Sequence, residues 1–239
     1  MKKIIALQLI VILTLVCFNS TAAEFEKDIF DTSKGELAIT FIEHGTLMME
    51  FDGKVIHINP VGRYADYSTL PKADLILVTH EHGDHLDLNA IELISKSTTN
   101  VVLTKTCTSQ YESGKVMANG ESATIQGLKI EAVPAYNIEK AFHPKGVGNG
   151  YVITCGDKKV YIAGDTENVP EMAELKNIEI AFLPMNLPYT MTPEMVAESA
   201  KAFKPKILYP YHFGNTNTDE LVELMKDVKD VEVWIRKLQ

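Results

Sequence analysis

A short string of metal-binding side chains constrains this chain more than any other feature of its sequence. His80, His82 and His85 lie within six residues, and Asp84 stands between the last two. The string comes just after the apolar run Leu75–Val78, which has the pattern of a buried strand. Imidazole nitrogens and carboxylate oxygens are the atoms that Zn²⁺ and similar divalent ions bind in proteins. The sequence therefore predicts a metal site at the end of a strand.

The first 23 residues have the pattern of a secretory signal peptide. Two lysines begin the segment, an apolar run extends from residue 4 to residue 18, and small residues lead to a cleavage site after Ala23. A membrane anchor is the alternative, although the apolar run is shorter than the roughly 20 residues that a span needs. We expect an exported protein, periplasmic or extracellular, without stable membrane insertion after cleavage. Residues 24–239 then form a single domain.

The composition limits the partners that we expect. The chain has 32 Asp and Glu residues against 23 Lys and Arg residues, and its formal net charge is −9 at pH 7. Because a negative surface repels phosphate backbones, neither a nucleic-acid partner nor a nuclease activity is expected. An exported protein could join Cys107 and Cys155 in a disulfide or keep both thiols free. No feature of the sequence indicates an oligomeric state.

Short apolar segments rich in Ile, Val and aromatic residues dominate the chain and predict strands. Three dipeptides between successive segments, Asp52-Gly53, Gln126-Gly127 and Gly156-Asp157, predict hairpin turns. The predicted strands are Leu37–Ile42, Leu47–Phe51, Val55–Ile58, Leu75–Val78, Val101–Leu103, Leu128–Val133, Tyr151–Thr154, Val160–Ala163, Ile178–Leu183, Ile207–Tyr211 and Val231–Ile235.

Helices are fewer. Thr192 can cap a helix that begins at Pro193 and stops at Pro205, because proline suits the first helical position. Thr218 opens a second helix, whose first turn is acidic. This second helix is predicted over residues 219–228. Two shorter helices are predicted over residues 89–94 and 169–175. Because hairpins occur together with strand–helix alternation, the fold class is mixed α/β with mixed sheets.

Two later sites repeat the pattern of a strand that ends in a possible ligand. The run Tyr161–Ala163 leads into Gly164-Asp165-Thr166, where the glycine allows a sharp turn that exposes the carboxylate. The run Ile207–Tyr211 ends in His212. A strand holds its end in a fixed position, which a metal ligand requires. We therefore expect Asp165 and His212 to join the first cluster.

The order of these motifs resembles the metallo-β-lactamase superfamily over about Glu36 to His212. Ile42-Glu43-His44-Gly45, Gly164-Asp165-Thr166 and Pro210-Tyr211-His212 are similar to the branch that holds ascorbate-phosphate lactonase-like and N-acylphosphatidylethanolamine phospholipase D-like hydrolases. The resemblance implies a four-layer αβ/βα sandwich with a dinuclear metal site at one edge.

The resemblance also implies how the ligands divide between two divalent ions. The first ion takes His80, His82 and a third histidine, the second takes Asp84, His85 and His212, and Asp165 bridges both. The spacing agrees, because alternate residues of an extended segment point the same way and can share one ion. Zinc is the expected metal, with manganese or iron as alternatives.

Two positions depart from the pattern of the superfamily. The third histidine often ends the strand that here reads Ile130–Ala135, but Tyr136 and Asn137 follow in this chain. We predict that His143 is the ligand, reached by a loop that folds back over the site. The alternative is a first site of two histidines in which His143 holds substrate. Asn59 stands where related sequences often have Asp, which predicts a small change in metal affinity.

The implied activity is hydrolysis of a small molecule. A metal-bridged hydroxide would attack an ester, lactone, amide or phosphodiester bond, and Asp84 would orient this nucleophile as the catalytic residue. A β-lactam is a minor option, because Gly164-Asp165-Thr166 replaces the cysteine ligand of many true β-lactamases. A structural zinc site is disfavoured because no cysteine lies near the motif. The alternative function is an exported metal-binding or sensing protein without turnover.

The remaining candidates have a structural interpretation as well as a functional one. His57 fits a hydrogen-bonded imidazole on a strand, and His44 either supports the metal site or ends a strand. Lys145 either binds an anionic group of the substrate or is solvated. The aromatic and apolar candidates for the pocket wall, which could equally belong to the core, are Tyr136, Tyr189, Met191 and Phe213.

Overall fold

Two β-sheets of seven strands each form the centre of the computed structural model, which describes residues 25–238. The signal peptide predicted at 1–23 lies outside these residues. Both sheets follow the same plan: four strands pair antiparallel in a meander, and the fourth strand then continues the sheet through parallel neighbours. The mixed α/β fold class is thereby confirmed.

The first sheet holds the N-terminal half of the chain, with its strands in sequence order. They are β1 (Glu26–Thr32), β2 (Gly35–Glu43), β3 (Thr46–Phe51), β4 (Lys54–Ile58), β5 (Leu75–Leu77), β6 (Asn100–Leu103) and β7 (Lys115–Val116). Helix α1 (Leu88–Ile94) follows β5, and the Asp87 carboxylate caps it by accepting from the backbone N–H groups of Asn89 and Ala90.

The second sheet holds the C-terminal half, again in sequence order. Its strands are β8 (Ser122–Ile125), β9 (Leu128–Ala135), β10 (Gly148–Cys155), β11 (Lys158–Ile162), β12 (Ile180–Pro184), β13 (Ile207–Tyr211) and β14 (Glu232–Val233). Helix α2 (Pro193–Phe203) joins β12 to β13, and α3 (Thr218–Met225) joins β13 to β14. Short 3₁₀ helices occupy Thr106–Ser109 and Pro170–Glu174.

The two sheets pack face to face around one large apolar core. Phe182 and Tyr209 of the second sheet stack with ring centroids 4.9 Å apart, and Phe41 of the first sheet packs against both. Each fully buried side chain of this kind contributes about 1.5–3 kcal/mol through the hydrophobic effect. On the second sheet, the Phe203 ring of α2 meets Tyr161 edge-on.

Strand β5 shows how the outer layer forms on the first sheet. Leu75 and Leu77 belong to the core between the sheets, whereas Ile76 and Val78 belong to a smaller cluster with Ile91 of α1. Successive side chains of a strand point to opposite faces, so a fully apolar run is buried on both sides. The order helix, sheet, sheet, helix is the four-layer sandwich that the resemblance to the superfamily implied.

Most predicted elements are confirmed. The three predicted hairpins are present as two-residue turns between β3 and β4, β8 and β9, and β10 and β11. The cap of α2 is Thr192, but Asn217 rather than Thr218 caps α3. The segment at 169–175 forms a 3₁₀ helix instead of an α-helix. Strand β1 escaped prediction because its two apolar residues, Ile29 and Phe30, are adjacent rather than alternating, and all its other residues are charged or polar, as suits an edge strand.

Both cysteines in the described part of the chain are free thiols. Cys107 is buried in the smaller cluster beside α1, and Cys155 is buried in the large core. Burial raises the pKa of the Cys155 thiol to about 12. Within residues 25–238, no helix has both the length and the hydropathy that a membrane crossing requires.

Candidate metal centre

The candidate ligands converge at one edge of the sandwich. His80 lies just after β5, Asp165 just after β11 and His212 directly after β13. Strand β5 belongs to the parallel part of the first sheet, and β11 and β13 belong to that of the second. Their ends meet at one edge of the sandwich, because Asp165 Oδ2 is 3.8 Å from His80 Nε2 and 3.5 Å from His212 Nε2. The residues that come together there are His80, His82, Asp84, His85, His143, Asp165 and His212.

Three histidines form the first group of possible ligand atoms. One nitrogen of each of His80, His82 and His143 lies within 4.8 Å of the other two. His80 Nε2 is 3.0 Å from His82 Nδ1, and the His143 ring centroid is 5.1 Å from that of His80. His80 and His143 are buried, whereas His82 is exposed. Three imidazoles with converging nitrogens are a suitable donor set for zinc.

The His143 side chain reaches this group from the long loop between β9 and β10. His143 has a left-handed backbone with φ 54°, and its carbonyl accepts a hydrogen bond from the backbone N–H of Asn137 at 2.8 Å. The Asn137 side chain in turn donates to the carbonyl of Tyr189 at 2.8 Å. The loop therefore folds back over the strand ends, as the sequence analysis expected.

The buried Glu167 carboxylate anchors the start of the same loop. It accepts hydrogen bonds from the backbone N–H groups of Ile138 at 2.6 Å and Glu139 at 2.8 Å. It also forms an ion pair of 2.6 Å with Lys140. Burial alone would raise the pKa of Glu167, but Lys140 and the backbone donors outweigh burial and lower the pKa. No sequence motif pointed to this residue, because its partners lie almost 30 positions away.

The second group surrounds the Asp84 carboxylate. Asp84 Oδ2 lies 3.6 Å from His212 Nε2 and 3.9 Å from His85 Nε2. His44 joins this group, because its Nε2 is 3.5 Å from the same oxygen and its ring lies 3.6 Å from the His212 ring. His44 thus supports the site, which was one of the two interpretations left open by the sequence.

Asp165 lies between the two groups. Its Oδ2 atom is 3.3 Å from His143 Nε2 and 3.5 Å from His212 Nε2, and its Oδ1 atom is 3.4 Å from His85 Nε2. One buried carboxylate therefore faces members of both groups. This is the geometry of a residue that can bridge two cations.

The electrostatics of the cluster favour anionic carboxylates beside imidazoles. Burial alone would raise the pKa of Asp165, but the neighbouring His212 and His85 outweigh burial and hold the pKa well below its ordinary value. Burial lowers the pKa of His80 well below its ordinary value, and His85 lowers it further. Asp165 is thus ionised and His80 neutral, which are the forms that bind metal.

Several buried polar atoms in the cluster have no hydrogen-bond partner within the described residues. They include His85 Nε2, His212 Nε2 and Asp165 Oδ1. Leaving a buried polar atom unpaired costs about 1–3 kcal/mol, so three such atoms facing one another need a compensating partner. A divalent cation satisfies two imidazole nitrogens and a carboxylate oxygen at once, so the residues present fit such an ion.

Gly45 and Asn59 hold the second group from behind. A Cβ atom at position 45 would lie 2.8 Å from His85 Cε1, so only glycine leaves room for that ring. Asn59 Oδ1 accepts from the backbone N–H of Thr79 at 2.9 Å, and its Nδ2 donates to the Gly45 carbonyl at 3.2 Å. These partners fix the amide orientation and place its N–H group 2.9 Å from His85 Nδ1.

An open cleft of about 460 Å³ leads to the cluster. Of the four pocket candidates from the sequence, only Tyr189 lines this cleft, while Tyr136, Met191 and Phe213 are buried. Lys145 is not in the lining, because it contacts Tyr136 and Glu171 instead. The cleft has four further lining residues outside the cluster that no sequence pattern indicated, which are Arg63, Tyr64, Phe142 and Asn186.

His57 has the structural role that the sequence favoured. The ring is fully buried in β4, and its Nε2 lies 3.0 Å from the Pro71 carbonyl oxygen. Burial lowers the pKa of His57 to about 4, although the hydrogen bond opposes this change. It lies apart from the metal-binding groups.

Comparisons with known proteins agree with this architecture. A family model described as the beta-lactamase superfamily domain matches residues 38–212. A UPF0173 metal-dependent hydrolase from Methanopyrus kandleri is 30% identical over 201 residues, which cover 74% of this chain and 84% of that protein.

Solved structures give the same result. A Parabacteroides distasonis protein, provisionally assigned as a metal-dependent hydrolase, is 51% identical, with a TM-score of 0.88 over 90% of this chain and 100% of that one. Igni18, a metallo hydrolase from Ignicoccus hospitalis, is 24% identical, with a TM-score of 0.71. The match covers 84% of this chain and 95% of Igni18. At that identity, Igni18 supports the fold alone.

The sandwich of two mixed sheets, the histidine and aspartate cluster at its open edge and the similarity to metal-dependent hydrolases agree with one another. The chain belongs to the metallo-β-lactamase superfamily. It is accordingly a metal-dependent hydrolase, and the sensing role without turnover that the sequence left open is set aside.

Proposed function

We propose that the protein is a dinuclear hydrolase that cleaves an ester, lactone, amide or phosphodiester bond of a small molecule. One observation carries the dinuclear assignment, namely that the Asp165 carboxylate faces both groups of histidines at 3.3–3.5 Å. A single-ion site would need only one of these groups. The open cleft of about 460 Å³ has the size of a small-molecule site.

The proposed division of ligands between two ions is the one that the resemblance to the superfamily implies. His80, His82 and His143 hold the first ion, Asp84, His85 and His212 hold the second, and Asp165 bridges them. Zinc suits this mixture of imidazole and carboxylate donors, with manganese or iron as alternatives. When bound, two divalent ions supply an activated water molecule and stabilise negative charge that develops on the substrate.

The protein groups then orient the reaction. The Asp84 side chain is one-third exposed, with 33% of its surface accessible, and it lines the cleft. Burial alone would raise the pKa of Asp84, but the neighbouring His212 and His44 imidazoles outweigh burial and hold the pKa well below its ordinary value. An ionised carboxylate accepts a hydrogen bond from the attacking water and directs its lone pair toward the substrate. We therefore propose Asp84 as the catalytic residue.

Metal analysis combined with a substrate screen tests this function. Protein stripped with a chelator and reloaded with zinc should bind two equivalents per chain and should hydrolyse at least one substrate among esters, lactones, amides and phosphodiesters. Asp84→Asn should lower kcat by about 10²-fold or more in the folded protein. Saturation at one equivalent would contradict the dinuclear assignment. A fully loaded protein that is inactive across the screen would contradict the proposal that it cleaves one of these four kinds of bond.

We also propose that the protein is exported after cleavage behind Ala23. The support is the basic, apolar and small-residue order of residues 1–23. Expression of the full chain in a bacterial host, followed by fractionation and N-terminal sequencing, should give a periplasmic or secreted protein that begins at Glu24. A membrane-bound protein that keeps its first residues would contradict this proposal and support an anchor.

A further inference from the structure

The chain has only two arginines, and they occupy very different environments. Arg236 forms an ion pair with Asp28 at 2.8 Å and lies over the rings of Tyr209 and Trp234. Its charge is neutralised and its guanidinium is packed, so its role is structural. Arg63 is exposed and lines the cleft that leads to the metal centre.

Arg63 is held in place without being neutralised. Its Nη2 atom donates a hydrogen bond of 2.9 Å to the carbonyl of Gly83, which lies inside the metal-binding string. The guanidinium also lies over the Tyr64 ring, with Cζ 5.5 Å from the ring centroid. Within the described residues it forms no ion pair, and the bond to Gly83 is its single side-chain hydrogen bond to protein. A guanidinium has five N–H donors in a rigid fork, so most of them remain available beside Asp84.

No other lysine or arginine in the described part of the chain lines this cleft. The nearby Lys145 is engaged by the Tyr136 hydroxyl at 3.1 Å and by Glu171 at 3.4 Å. In a protein with a formal net charge of −9, a fixed and unpaired cation at the mouth of the site is a specific feature. A planar guanidinium binds carboxylate, phosphate or sulfonate oxygens in a bidentate manner.

The far side of the cleft is apolar and aromatic. Phe142 and Tyr189 meet edge-on with centroids 5.0 Å apart, and they remain 45% and 43% exposed. Phe142 is next to His143 and its ring is 6.4 Å from that imidazole. Arg63 is next to Tyr64, whose ring lies 5.4 Å from His44 in the other group. The two walls therefore flank different halves of the metal centre.

We propose that the cleft selects an amphipathic substrate, with an oxyanion on Arg63 and an apolar or aromatic group against Phe142 and Tyr189. The scissile bond would then lie between these two groups, over the metal centre. This inference rests on the proposed function, because it assigns the substrate class of the same cleft.

Binding of two matched probes to zinc-loaded protein tests the proposal without any turnover. The probes are 3-phenylpropane-1-sulfonate and the neutral methyl 3-phenylpropyl sulfone, since both sulfur groups are weak ligands for zinc and only the sulfonate carries a charge for the guanidinium. Calorimetry should show that the wild type binds the sulfonate at least about tenfold more tightly than the sulfone. Equal affinities would overturn the proposal.

Arg63→Gln is the decisive variant, because glutamine keeps a donor for the Gly83 carbonyl but removes the charge. It should retain the wild-type zinc content and bind both probes equally, while Arg63→Lys should retain part of the preference. Lys229→Ala removes an exposed cation that is not in the cleft lining and should keep the full preference. A full preference in Arg63→Gln would overturn the assignment of Arg63.

A double variant tests the aromatic wall, formed by Phe142 and Tyr189, separately from Arg63. Phe142→Ala combined with Tyr189→Ala should weaken both probes by a similar factor of about ten, because the apolar contact is common to them. Unchanged binding would overturn the aromatic half of the proposal. These results are separable from the proposed function, because an inactive but zinc-loaded protein still reports the preference for the sulfonate.

Discussion

The two halves of the metal centre are built in different ways. The group around Asp84 combines His212, which directly follows β13, with Asp84 and His85 in the turn after β5. Two residues pack directly behind this group: Gly45 leaves room for His85, and Asn59 contacts the His85 Nδ1 atom. The group of three histidines depends on His143, which a long loop delivers from beyond β9. Ligands on strand ends are held by the fold itself, whereas a ligand on a loop is held by the contacts of that loop.

This contrast predicts that the two proposed ions respond to different substitutions. The first ion should respond to substitutions in the loop and its anchors, even far from the metal atoms. The second should respond to the side chains that pack directly behind its ligands. The following predictions are arranged from the largest expected effect to the smallest.

Asp165→Asn should have the largest effect, because Asp165 belongs to both halves. The amide cannot supply the negative charge that lies between His143, His212 and His85. We expect zinc content to fall below one equivalent and kcat/KM to fall by about 10³-fold or more. Retention of two tightly bound ions would show that the halves are independent. Glu179→Gln is the matched control. It alters a partly buried carboxylate that pairs with Lys158 and Lys206 and not with the histidines of the cluster.

His143→Ala and His212→Ala should each remove one ion, but from opposite halves. The first variant loses the ligand on the loop, and the second loses a ligand that directly follows β13. We expect each to retain about one equivalent of zinc, with affinity reduced for the ion that remains. Two full equivalents in His143→Ala would instead support the alternative in which His143 holds substrate. Circular dichroism of each variant serves as the check on folding.

The sequence located the strand-end half of the site more completely than the loop half, for a physical reason. Asp165 and His212 stand next to apolar runs, so local pattern alone places them at a sheet edge. His143 was found only because it is the next histidine along the chain, and its loop path depends on Glu167 and Asn137, whose partners are distant in sequence. Arg63 and Phe142 carried no pattern at all, because loops bring them to the cleft.

Glu167→Gln tests the dependence of the first ion on its loop. Glutamine keeps the shape of the side chain but removes the ion pair with Lys140 and weakens the bonds from Ile138 and Glu139. We expect affinity for one of the two ions to fall by about 10–100-fold, as for other residues that orient ligands. Zinc titration should leave the other ion unchanged. An equal loss of both ions would remove the distinction between the halves.

Asn59→Asp tests the packing behind the second ion and should have the smallest effect. For His85 to bind metal through Nε2, its proton must be on Nδ1, which now faces the N–H group of Asn59 at 2.9 Å. The proton must instead use the Thr79 hydroxyl at 3.3 Å. An aspartate would accept this proton directly, so we expect affinity for the second ion to rise by about tenfold. Asn186→Asp is the control for charge alone, because it adds a carboxylate to the cleft lining without a contact to His85. A rise of equal size in that control would mean that net charge, rather than the orientation of the imidazole, sets the affinity of this half of the site.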